Sequence, residues 1–96
     1  MDTRPIGVFD SGVGGLTVVK QMIKTMPNEN IIYFGDTARV PYGTKSQKAV
    51  TKFSKQIVRF LLTKEVKAVV IACNTASSNS LEELQQTFEI PIFGVV

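Results

Sequence analysis

Four short apolar runs constrain this chain most: IGVF at Ile6–Phe9, IIYFG at Ile31–Gly35, AVVIA at Ala68–Ala72 and IFGVV at Ile92–Val96. Each has the length and character of a buried strand, and a longer stretch with helical spacing fills every gap between them. In the first gap, GLTVVKQMIKTM sets Leu16, Val19, Met22, Ile23 and Met26 at helical spacing, and Pro27 and Asn28 stop it. In the second, Thr44 and Gln47 have the spacing of a capping box, which predicts a long helix from there to about Glu65. Its apolar side is Val50, Phe53, Ile57, Phe60 and Leu61. In the third, Leu81, Leu84 and Phe88 mark a helix that ends before Pro91. The order βαβαβαβ implies an α/β fold, an open parallel sheet of about four strands flanked by helices. Right-handed crossovers restrict the topology, and the expected strand order is 2-1-3-4.

Ninety-six residues, 44% of them hydrophobic, suffice for a single α/β domain with one core and not for two. The chain has one cysteine and no histidine. An internal disulfide is therefore impossible, a Cys–His nucleophile pair cannot form within the chain, and a metal site is not expected. The opening MDTRPIGVFD carries an acid and a proline where a secretion signal needs a long apolar run. No run approaches the ~20 apolar residues that span a bilayer. A cytoplasmic chain without membrane contact is the expectation. The net charge of +3 is mild, but Lys48, Lys52, Lys55 and Arg59 fall within roughly 60° of arc on the second helix. A phosphate-binding stripe is one reading. No aromatics interleave with these charges, so a solvated cationic back is preferred and nucleic acid is not expected as a partner.

A smaller pattern recurs at the strand ends. The first strand ends in Asp10-Ser11, the second in Asp36-Thr37, and the third in Asn74-Thr75 directly after Cys73. In a parallel sheet these ends share one edge, the edge where open α/β proteins bind ligands. Capping chemistry accounts for one such pair; three, with a thiol beside one of them, suggest a polar pocket. Helix N-termini there suit a carboxylate, and Asp10 and Asp36 suit an ammonium group, so a zwitterion such as an amino acid fits both. Cys73 at a helix start is expected to be accessible and to favour the thiolate, which can act as a base. The opposing reading is equally open here: a free cysteine usually behaves as a small buried hydrophobe. GVGGLT after the first strand also looks like half of a dinucleotide fingerprint, with Asp36 as a ribose-binding acid. Thr17 stands where its third glycine belongs, so a Rossmann-type nucleotide module ranks second.

FDSGVGGLTV, GDTARVPYG and ACNTAS resemble, in order and spacing, the N-terminal part of bacterial glutamate racemase. The CNT element alone is similar to the wider aspartate/glutamate racemase group, so an aspartate racemase-like enzyme is the nearest alternative. The resemblance covers essentially the whole chain. It implies a flavodoxin-like half of a two-domain enzyme, with the second domain and a C-terminal segment lying outside residues 1–96. It implies interconversion of L- and D-glutamate by two cysteines on opposite sides of the α-carbon, with no cofactor, supplying D-glutamate for peptidoglycan. Carried over by motif, Cys73 is one of the two bases. Asp10 and Ser11 contact the substrate, Asp10 aiding proton transfer near the amino group. Tyr42, Gly43, Asn74 and Thr75 bind its carboxylate. The second cysteine of the family and a histidine close to it have no counterpart here, so the chain carries half of an active site and is expected to be inactive alone. The uncovered last strand leads us to expect a homodimer or other self-association.

Overall fold

A computed structural model of the chain describes residues 3–10, 15–37 and 45–94, with Asn74, Thr75 and Asn79 described by backbone only. The elements alternate as expected: β1 (Ile6–Asp10), α1 (Gly15–Thr25), β2 (Ile31–Gly35), α2 (Gln47–Leu62), β3 (Ala68–Ile71), α3 (Asn74–Thr87) and β4 (Ile92–Gly94). All pairings are parallel and the sheet order is β2-β1-β3-β4. The register aligns Val8 with Tyr33 and Val70, and Val70 in turn with Phe93.

Period-two alternation divides the strand side chains between two cores. Phe9, Val69, Ile71 and Ile92 face α2 and α3, where Val50, Ile57, Val58, Leu61, Ala76 and Leu84 complete the larger cluster. Ile6, Val8 and Ala72 face α1, where Val19, Val18, Met22, Ile31, Tyr33 and Val70 complete the smaller one. Gly7 admits Leu61 against the sheet; a Cβ there would sit 3.1 Å from the leucine. Thr51 and Ser80 share a buried hydroxyl hydrogen bond of 2.7 Å that ties α2 to α3.

Three details differ from the sequence reading. The N-cap of α2 is Ser46, whose Oγ accepts from the Ala49 amide at 3.0 Å, and the helix ends at Leu62 in a turn that puts Glu65 at φ 58°. Thr44, the expected cap, lies outside the described residues. Phe60 is exposed rather than in the core, packed edgewise on Phe34 with Lys64 over its ring. Leu16, Ile23 and Met26 are also exposed. The buried side of α1 is centred on Gly15, Val19 and Met22, and Leu16 and Ile23 lie roughly 70–95° around the axis from that centre. A helix that meets a sheet on one side cannot bury so wide an apolar arc. To the side of α1, which packs on β1 and β2, Phe93 stands 57% exposed on β4, on the same face of the sheet as Val8 and Val70. No described helix is long and apolar enough to cross a membrane.

Candidate active site at the carboxyl edge of the sheet

The C-terminal ends of β2, β1 and β3 lie side by side, and they carry Asp36, Asp10 and Cys73. Backbone hydrogen bonds carry the ladder past the strand ends. The Asp36 amide donates to the Asp10 carbonyl at 3.0 Å, and the Ala72 amide donates to the Phe9 carbonyl at 2.8 Å. Asp10 and Cys73 are thus brought to one edge by the sheet itself. They leave it in different directions: Asp10 follows Val8 onto the α1 face, and Cys73 belongs to the α2/α3 cluster.

Asp10 is fully buried. Taking a carboxylate out of water is costly unless donors replace the solvent. Tyr33 supplies one: its hydroxyl donates to Asp10 Oδ1 at 2.8 Å. Burial first, then the hydrogen bond and charge of Asp10, push the phenol up from 10.0 to about 12, so it remains a proton donor through the neutral range. On the other side the carboxylate lies against Gly15, the first residue of α1, where any Cβ would overlap it. Tyr33 and Gly15 are not among the residues singled out from the sequence. A hydroxyl inside an apolar strand is the signal that could have found Tyr33, because a buried tyrosine needs a partner.

Cys73 occupies the N-cap position of α3 with extended backbone, and its carbonyl accepts from the Ser77 amide at 2.9 Å. Its side chain makes no capping bond. The expected accessible thiol is instead only 6% exposed. The reason is geometric: the alternation that points Val69 and Ile71 at α2 and α3 runs on through Cys73 and turns its side chain the same way. Ser77 Oγ, one turn into α3, donates to the Ile71 carbonyl at 3.2 Å and joins the helix start to the strand end.

Asn74 and Thr75 open α3 immediately after Cys73, at this same edge. Ser11, Tyr42 and Gly43 lie outside the described residues. Asp36 is buried above a small cleft formed by Phe34, Gln56, Ile57 and Phe60. Among the described residues no cluster of side chains could hold a metal ion. For a dinucleotide the edge is poorly shaped, since the Asp10 carboxylate occupies the mouth of α1 where a pyrophosphate would approach. The cationic stripe lies along α2, which starts at this edge and runs back across the sheet. Lys48, Lys52, Lys55 and Arg59 line a groove of about 770 Å³ there. Lys55 pairs with Glu83 of α3, and Arg59 lies over the Phe88 ring, so two of the four charges already serve the helix pair.

The chain is 59% identical over all 96 residues to the glutamate racemase of Geobacter metallireducens, and spans 36% of that protein's length. The fold superimposes on the glutamate racemase of Thermus thermophilus solved with β-chloro-D-alanine, at a TM-score of 0.94 and 56% identity, covering 98% of this chain and 37% of that one. The enzyme of Francisella tularensis solved with D-glutamate matches at 0.91 and 54%, over 98% and 36% of the two chains. The Asp/Glu/Hydantoin racemase model matches residues 6–96, and the chain belongs to that family.

Proposed function

We propose that this chain forms one half of the active site of a glutamate racemase. The reading rests on one observation above the others: Asp10, the last residue of β1, and Cys73, two residues past the paired strand β3, share the carboxyl edge of the sheet, where open α/β proteins bind ligands. Cys73, as thiolate, takes the α-proton from one side of glutamate, and a second cysteine outside residues 1–96 returns a proton from the other. Asp10 and Ser11 contact the substrate. Tyr42, Gly43, Asn74 and Thr75 hold its carboxylate, and donors on that carboxylate stabilise the negative charge that builds as the α-proton leaves. The chemistry needs no cofactor. The complete enzyme works in the cytoplasm and supplies D-glutamate for peptidoglycan. Homodimer formation belongs to the same reading, supported by the exposed Phe93 on edge strand β4.

The test joins residues 1–96 to the remaining two thirds of the Geobacter enzyme. Polarimetry follows L- to D-glutamate conversion, and NMR follows α-deuterium exchange into each enantiomer. The joined protein should racemise glutamate in preference to aspartate, and Cys73→Ala should abolish conversion in both directions. Residues 1–96 alone should show none, because a single base returns the proton to the side it came from. Losing one positioned base commonly costs ~10²–10⁴-fold. Parental racemisation by the Cys73→Ala protein would overturn the assignment.

A further inference from the structure

We propose that Tyr33 is a positioning residue for racemisation: its hydroxyl, running over Gly35, sets the orientation in which Asp10 meets the substrate. The inference rests on the reading of Asp10 as a substrate contact.

The register puts Gly35, not Tyr33, beside Asp10; Tyr33 pairs with Val8, two residues back along the sheet. The Tyr33 side chain must therefore reach forward by two strand residues, about 6.6 Å, to meet the carboxylate. A phenol has that length and a serine or threonine does not. The lane it uses exists because position 35 has no side chain. A Cβ there would sit 2.9 Å from the Tyr33 hydroxyl and 3.4 Å from Asp10 Oδ1. Gly15 leaves the space on the Oδ2 side in the same way. One carboxylate is thus seated between a tyrosine of β2 and the first residue of α1, with a glycine clearing the space on each side.

Packing alone does not call for this arrangement. The surrounding α1-face cluster is aliphatic, with Ile6, Val8, Val19 and Ala72 at its centre. A leucine-sized side chain at position 10 would bury there without any donor, and a buried charge is weak support for stability. A carboxylate kept at the ligand edge and aimed by a dedicated phenol is the pattern of a group whose direction matters to chemistry. The raised titration of Tyr33 supports the same role, since the phenol keeps its proton wherever the enzyme works.

The experiment uses the joined protein described above and measures kcat and KM for Tyr33→Phe, Asp10→Asn and the double variant. Tyr33→Phe removes one oxygen and should lower kcat about 10–100-fold, the worth of one hydrogen bond to a charged group. KM should change by less than about twofold, as expected when what is lost acts in the transition state. The double variant should be no slower than Asp10→Asn alone, because both changes remove one coupled unit. Gly35→Ala keeps the tyrosine but closes its lane, and should lower kcat in the same manner if Tyr33→Phe fails to fold. Parental turnover by Asp10→Asn would remove the underlying reading of Asp10. Loss in Asp10→Asn with parental kcat in Tyr33→Phe, or effects that multiply in the double variant, would overturn the positioning role alone.

Discussion

Gly35→Ala should destabilise the fold although alanine is the better strand residue. The new Cβ would lie 2.9 Å from the Tyr33 hydroxyl, about half an ångström inside ordinary contact. The phenol is anchored at its other end in the α1-face cluster, so it cannot simply swing aside. Its 2.8 Å bond to Asp10 must lengthen or bend until it no longer counts. A hydrogen bond to a charged group is worth about 1.5–3 kcal/mol. Against this stands the stabilisation from restricting the unfolded chain, about 0.4–1 kcal/mol for glycine to alanine. The first effect wins, and the expected net loss is about 1–2 kcal/mol. Urea denaturation followed by circular dichroism reads it as a lower midpoint at unchanged slope. A parallel alkaline titration of the phenols should show Tyr33 ionising closer to its usual range. A variant as stable as the parent, with Tyr33 still titrating near 12, would refute the account of position 35.

Leu61→Ala should cost ~2–5 kcal/mol, because the fully buried side chain fills the space above Gly7 and its removal leaves a cavity; a denaturation midpoint within error of the parent would contradict this. Ser46→Ala should cost ~0.5–2 kcal/mol through loss of the bond to the Ala49 amide, read as a lower Tm, whereas Thr44→Ala should leave α2 capped. Tyr33 gives the fold an alkaline limit. Its folded-state value lies above the unfolded one, so its contribution is complete below about pH 10 and is lost as pH rises toward 12. Tyr33→Phe should flatten that part of the curve of urea midpoint against pH.

The fold was legible because each strand is a short apolar run and each helix has its own stop, so only the order of parallel strands needed a topological rule. The boundary of α2 was less so. Thr44 and Ser46 are both capping residues, and the hydroxyl in use depends on where the incoming chain turns. Phe60 and Leu16 show the limit of apolar periodicity, which marks a wide arc and does not say how much of it meets the sheet. At the site, Asp10 and Cys73 could be placed from the strand ends alone. The direction of the Cys73 side chain could not, because it depends on whether alternation continues beyond the last ladder bond. Tyr33 was hidden for a different reason. Its partner is 23 residues away, and the contact follows from a register and a missing side chain rather than from any local pattern.

The junction between β3 and α3 is held from several sides. The Ala72 amide is bonded to β1, the Ser77 amide to the Cys73 carbonyl, and the Ser77 hydroxyl to the Ile71 carbonyl. Gly94 lets the same serine and Leu81 lie directly on β4, where a Cβ would come within 3.0 Å of both. Such a corner has no cheap way to fray, because a local opening must break sheet, helix and packing together. Deuterium should therefore enter the Ala72 and Ser77 amides only when the whole domain unfolds, at a rate governed by global stability. The lone thiol sits between those two amides, in a part of the molecule that opens only with global unfolding.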